Sequence, residues 1–255
     1  MNASRSLLIV SIALLSMLAP ARAETVPQIV IIIDDLGYQL DAGVRAINLP
    51  GPVSYAILPA TPNSDSLARV AHEKGRDVLL HLPFESVGQE NSDEPGAITL
   101  DMSRAAFHTT FATALESVPY AIGVSNHRGS LLTRHPGHMA WLMEEIAAQD
   151  GMFFVDSFTT HESVALQMAS ESGVAATRRH VFLDNDRSPE GLLREFERLL
   201  TLARRHGKAV AIGHPYPETL EFLEGKLMEL DARNIKLIPV SQAVNSVEPD
   251  ATNKL

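Results

Sequence analysis

The chain of 255 residues contains no cysteine, one tryptophan and only 5% aromatic residues, and its 31 acidic residues outnumber 21 lysines and arginines. Without cysteine there can be no disulfide in any compartment, so the fold rests on its core, or on its core and a metal. The formal charge of −10 and the lack of a lysine or arginine cluster disfavour binding to a phosphate backbone, which excludes nucleic acid as the expected partner. There is no G-x-G-x-x-G, Walker or G-x-S-x-G motif, so neither a phosphate loop nor a nucleophile elbow is indicated. No apolar run approaches membrane length.

The one segment of unusual character is the first. Arg5 precedes a 12-residue apolar run from Leu7 to Leu18, followed by Pro20 and Ala21-Arg22-Ala23. This is the pattern of a secretory signal peptide, too short for a comfortable bilayer span. Cleavage after Ala23 removes two arginines and no acid, leaving 232 residues of charge −12. The expectation is an exported, periplasmic protein with a signal peptide at 1–23, a single domain at 24–247 and a polar tail at 248–255.

In the remaining chain, short apolar runs alternate with amphipathic stretches. Strands are expected at Gln28–Ile33, Val53–Leu58, Asp77–Leu80, Tyr120–Val124, Met152–Val155, Val181–Leu183, Ala209–Ile212 and Ile235–Ile238. Gln28–Ile33 (QIVIII) is apolar throughout, as a strand buried on both faces must be. Helices are expected at 64–73, 102–116 after an Asp101 N-cap, 137–149, 162–172, 189–206 and 218–233. Such alternation predicts a parallel α/β sheet: a distorted (β/α) barrel of about seven to eight strands, with a doubly wound sheet as the competing architecture. Residues 85–100, rich in Gly, Pro, Asn and acids, read as a long loop bordering a site.

The position of the polar residues is the most informative feature. Asp34 and Asp35 follow the first strand, and His81 follows the third. Asn126 and His127 come just past the fourth, Asp156 ends the fifth, Asp184 the sixth, and His214 the seventh. In a parallel α/β protein these ends share one face, where active sites form. Asp and His without Cys suit Zn²⁺ or a related divalent ion, and three protein ligands with an open position would make the site catalytic. Of the adjacent pair Asp34-Asp35, one carboxylate could hold the metal and the other take a proton from water, if the backbone turns at the strand end. Weaker signals have bland readings: His135 and His138 on the surface, Trp141 in the core, and Asp184 and Asp186 as caps of the helix near Pro189.

Seven blocks, IIIDDLG (31–37), LPATPNS (58–64), LLHLPFE (79–85), SNHRGS (125–130), FFVDSFTT (153–160), VFLDN (181–185) and AIGHPYPET (211–219), resemble the divergent polysaccharide deacetylases of bacteria. That family is related to carbohydrate esterases of the NodB-type barrel fold. The resemblance implies metal-assisted removal of an acetyl group from an N-acetylated sugar of the cell envelope. It implies Asp34 as general base, Asp35 and His81 as metal ligands, and His214 as general acid. The usual second histidine of the metal motif is Glu85 here, so the third ligand is assigned to His127, with Glu85 as the alternative. Asn126-His127-Arg128 stands where related enzymes have an Arg-Pro-Pro-Tyr segment. Glu85, Asn126, Arg128, Ser130, Asp156 and Ser157 are expected to line the substrate pocket. These departures also admit a second reading, a non-catalytic glycan- or partner-binding protein on a decayed deacetylase fold.

Overall fold

A computed structural model describes residues 26–88 and 94–244; the expected signal peptide and polar tail lie outside these. The strands are β1 (Gln28–Leu36), β2 (Ser54–Ile57), β3 (Val78–Phe84), β4 (Gly123–Arg128), β5 (Phe153–Asp156), β6 (Ala176–Arg178), β7 (Val181–Phe182), β8 (Lys208–Gly213) and β9 (Lys236–Leu237). The helices are α1 (Leu40–Ile47), α2 (Ser64–Glu73), α3 (Arg104–Glu116), α4 (Pro136–Ala147), α5 (Ala165–Glu171), α6 (Pro189–His206), α7 (Pro217–Lys226) and α8 (Val240–Val244).

Every described strand pairing is parallel, in the order β6-β5-β4-β3-β2-β1-β8-β7, with β9 beside the start of β1. The sheet curls into the expected distorted barrel, not an open doubly wound sheet. Its seam is thin. Arg178 is still in register with Asp156 of β5, and Val181 is already in register with Ala211 of β8. Arg179 and His180 make the step, donating backbone hydrogen bonds to Asp156 O and Val210 O respectively.

Strand period places the side chains in two layers. Ile29, Ile31 and Ile33 of β1 face the surrounding helices and join the large outer core with Phe107, Leu142, Phe196 and Leu223. Val30 and Ile32 face inward and meet Ala56, Leu79, Phe153, Val155, Val210 and Ile212 in a smaller inner core. Each fully buried Ile or Val contributes roughly 1.5–3 kcal/mol, so β1, buried on both faces, anchors both layers. The inner core is closed at the strand starts by α8, whose Val240 and Ser241 N–H groups donate to Ser54 Oγ (3.0 Å) and Asp77 Oδ2 (2.8 Å).

Several boundaries differ from the sequence expectation. β4 begins at Gly123 instead of Tyr120 and continues through Asn126 and His127, because β3 runs on to Phe84 and offers a pairing edge as far as Arg128. Ser103, not Asp101, caps α3, its hydroxyl accepting from Ala106 N at 3.2 Å. The segment expected as helix over 218–233 is helical only to Lys226, then makes two 3₁₀ turns that end at Asn234 in left-handed backbone (φ 53). The helix α1 and the three-residue β6 had no strong sequence signal. The 85–100 loop is not detached: Ile98 N donates to Pro83 O and Glu85 N to Ile98 O, a bridge along the end of β3. No helix among the described residues is long and apolar enough to cross a membrane.

Candidate metal centre

The inward alternation that builds the inner core continues one residue further at the strand ends. After Val30 and Ile32 of β1 comes Asp34; after Leu79 of β3 comes His81; after Val210 and Ile212 of β8 comes His214. On β4, Ser125 pairs with His81 in register and His127 lies two residues on. Imidazoles and carboxylates thus form the layer that caps the apolar interior at the C-terminal end of the barrel.

Asp35 would face outward if β1 stayed extended. Its backbone instead turns into the left-handed region (φ 61), where the register with β2 shifts between Ile33 and Leu36. Gly37 follows at φ 137, packed so closely on Thr61 that a Cβ would lie 2.1 Å from Oγ1. This turn brings both neighbouring carboxylates to one place. Asp35 Oδ1 lies 2.8 Å from His127 Nδ1 and 3.2 Å from His81 Nε2, while Asp34 Oδ2 is 3.5 Å from His81 Nε2. One ligand atom from each of Asp35, His81 and His127 falls within 4.8 Å of the others.

These contacts are not hydrogen bonds that satisfy the carboxylates. Asp34 Oδ1 and Asp35 Oδ1 are buried and accept none. Unpaired buried carboxylate oxygens are costly, whereas atoms converging on a common point are what a cation requires. One carboxylate oxygen and two imidazole nitrogens are donors that Zn²⁺ takes, and they lie close enough together to share one ion. The second nitrogen of His81 contacts Ser125 Oγ at 2.8 Å, which fixes the ring with Nε2 toward Asp35. The residues fit a divalent metal with three protein ligands.

Charge in the site is set by competing effects. Burial lifts the Asp34 carboxyl above its ordinary pKa, against the attraction of His81 and His214. Burial also opposes ionisation of Asp35, but His127 and His81 outweigh it and hold that carboxyl below the usual range. His81 is desolvated, yet Asp34 and Asp35 raise its pKa. His214 is likewise desolvated, but Asp184 raises it to about 9. Two neighbouring aspartates therefore differ in proton affinity, the condition for dividing base and ligand roles.

Asp184 is the residue whose role the sequence reading missed. It does not cap α6; Ser188 does, its Oγ accepting from Gly191 N at 3.1 Å. Asp184 is buried, and its Oδ1 is 2.9 Å from His214 Nδ1 while Oδ2 accepts from His214 N at 2.6 Å and from Thr219 Oγ1 at 2.9 Å. His214 Nε2 is thereby presented to the cluster, 3.7 Å from Asp35 Oδ2. The only sequence signal was the placement of Asp184 at a strand end.

The remaining expected residues surround this centre in different ways. Asn126 is fully buried and joins two strand ends, its Oδ1 accepting from Ser157 N and its Nδ2 donating to Arg128 O. Asp156 accepts from Phe158 N and Ser163 Oγ, and burial raises its pKa. Ser157 Oγ is buried without a partner. Ser130 Oγ accepts from Val87 N. Glu85 turns its carboxylate to Leu100 N at 2.7 Å, holding its own loop and lying outside the three-residue cluster. From that loop Glu94, not singled out in the sequence, reaches Arg128 at 3.0 Å and His127 Nε2 at 3.6 Å. Arg179 was also missed; it donates to Ser157 O and Phe158 O. Of the weaker signals, His138 is buried, not on the surface, while His135 is exposed and caps α4 through Nδ1. Trp141 packs on Phe107 and His138 at the edge of the core.

Comparisons with known proteins agree with the fold. The sequence model of the divergent polysaccharide deacetylases matches residues 31–244. An uncharacterized protein of Haemophilus influenzae is 36% identical over 223 residues, covering 83% of this chain and 79% of its own. Among solved structures, an uncharacterized protein of Agrobacterium tumefaciens superposes with a TM-score of 0.82 at 20% identity, over 88% of this chain and 92% of that one. The peptidoglycan deacetylase PdaC of Bacillus subtilis does so with a TM-score of 0.51 at 10% identity, over 85% and 89%.

Proposed function

The chain belongs to the divergent polysaccharide deacetylase family, and from that premise we propose that it is an exported, periplasmic, metal-dependent hydrolase removing N-acetyl groups from a cell-envelope polysaccharide. The observation that carries the reading is the convergence of Asp35, His81 and His127 beside Asp34 and a histidine oriented by a buried carboxylate.

Asp35, His81 and His127 are the residues that would hold a divalent cation, Zn²⁺ by the nature of its donors. Such a cation supplies Lewis acidity, polarising the acetyl carbonyl and making water a stronger acid. Asp34, with its raised proton affinity, accepts the proton of the attacking water. His214, charged at neutral pH through Asp184, donates a proton from Nε2 to the departing amine nitrogen. Asn126 holds the ends of β4 and β5 together beside the site, and the unpartnered Ser157 hydroxyl is available to a substrate polar group. Residues 1–23 direct export as a cleaved signal peptide.

The test is acetate release from N-acetylated oligosaccharides, with metal content measured on the same protein. Wild type should release acetate and hold about one divalent ion; Asp34→Asn should keep the ion and lose the release. Release unchanged by Asp34→Asn refutes the base assignment. Equal metal retention in Asp35→Ala and His127→Ala refutes the ligand set.

A further inference from the structure

The acidic chain has an arginine-bearing rim at its site. Arg128 ends β4, Arg178 ends β6, Arg179 forms the seam, and Arg187 lies in the loop between β7 and α6. Three of these lie over aromatic rings: Arg178 over Phe158 at 4.7 Å, Arg179 over Phe182 at 4.9 Å and Arg187 over Tyr216 at 4.5 Å. Phe182 and Tyr216 in turn flank His214, with ring centroids 5.2 and 5.7 Å from its own. The proton donor of the proposed reaction is therefore neighboured by two rings, each carrying a guanidinium.

The two cations are committed differently. Arg179 spends Nε and Nη2 on the carbonyls of Ser157 and Phe158. Arg187 is exposed, and among the described residues no carboxylate lies within ion-pair distance of it. Asp186 beside it is engaged by Arg194 at 3.5 Å and by Ser188 N, Asp184 by His214 and Thr219. Glu190 and Glu218, in the first turns of α6 and α7, do not reach it. A guanidinium resting on a tyrosine face is held in place while its N–H edge stays open for a planar, bidentate carboxylate. One such group matches a monoanion.

Resting on the deacetylase reading, we propose that the substrate is an acidic glycan: the sugar next to the one being deacetylated carries a carboxylate, which Arg187 binds while Tyr216 supports the ring. A neighbouring sugar is the natural occupant, since Tyr216 does not touch the cluster itself but packs on His214, with ring centroids 5.7 Å apart, and His214 in turn is 3.7 Å from Asp35.

The probes are two oligomers of equal length that contain N-acetylglucosamine: a hyaluronan hexasaccharide, whose alternate sugars carry carboxylates, and neutral chitohexaose. Turnover and calorimetric binding are measured for wild type, Arg187→Gln and Arg187→Lys. Wild type should prefer the acidic oligomer, and Arg187→Gln should reduce the acidic-to-neutral ratio about tenfold, the worth of one charge-assisted contact. Arg187→Lys should recover part of it. Hydrolysis of both oligomers at a ratio that Arg187→Gln leaves unmoved overturns this inference and leaves the deacetylase reading standing. Arg187-dependent binding of the acidic oligomer without hydrolysis of either one upholds the carboxylate contact at Arg187 and removes the deacetylase reading.

Discussion

Asp184 grips His214 by both its ring and its backbone: one carboxylate oxygen lies 2.9 Å from Nδ1, the other accepts the backbone N–H at 2.6 Å. Two contacts from one buried carboxylate determine where Nε2 points and which nitrogen carries the outward proton. Asp184→Asn preserves the shape and removes the charge. We expect kcat for acetate release to fall by about 10²–10⁴, the range for a lost general acid, with metal content unchanged. A variant that turns over at the wild-type rate would detach His214 from proton transfer.

The metal cluster predicts a thermal signature independent of turnover. A ligand present at a hundredfold excess over its Kd stabilises the folded state by about 2.7 kcal/mol. For a chain of this size that is on the order of 5–10 °C in Tm. Adding Zn²⁺ to chelator-treated wild type should produce such a rise, and Asp35→Ala should abolish it. A rise of the same size in Asp35→Ala would place the ion elsewhere.

Gly37 sits immediately behind the turn that reorients Asp35, at φ 137 and against Thr61. Gly37→Ala must relieve both a strained backbone and a 2.1 Å approach, at a cost of about 1–3 kcal/mol. We expect a lower urea midpoint and weaker zinc binding together, because the same turn aims the ligand. Loss of stability with unchanged zinc affinity would separate Asp35 from that turn.

Asp156 supplies a pH test away from the ligands. Its folded-state pKa is raised by burial, so the folded protein holds this proton more tightly than the unfolded chain does. Stability from this group is therefore lost as the pH rises above the unfolded value of about 3.9. Wild type should lose stability relative to Asp156→Asn between pH 4 and pH 7, measured by urea unfolding. A difference that is flat over that range would argue against a raised pKa.

Much of this was legible in the sequence because strand ends are local events. QIVIIIDD contains both the strand and its polar terminus, and recurrence of Asp or His after successive apolar runs points to the strand-end face where the cluster forms. Three features were not local. Asp184 resembles any cap in FLDND, and only the pairing of β7 with β8 brings it to His214. Tyr120–Val124 reads as the apolar strand, yet β4 is displaced toward Asn126 and His127 because β3 supplies a longer partner edge. His138 looked exposed beside Pro136, and its burial against Phe107 and Trp141 is a tertiary fact.

The seam between β6 and β7 has a mechanical consequence. A ring whose other staves, β9 aside, are strands of four to nine residues is closed here by strands of three and two residues, with Arg179 and His180 as the link. Breathing motions should concentrate along that line, and amide exchange there should outpace exchange in β1 and β8. The seam runs to the rim beside Asp156 and Phe182, so its opening would widen the mouth without disturbing the staves that carry Asp35, His81 and His127. A polymer too stiff to thread into a rigid cup could be admitted by such a split-ring vessel.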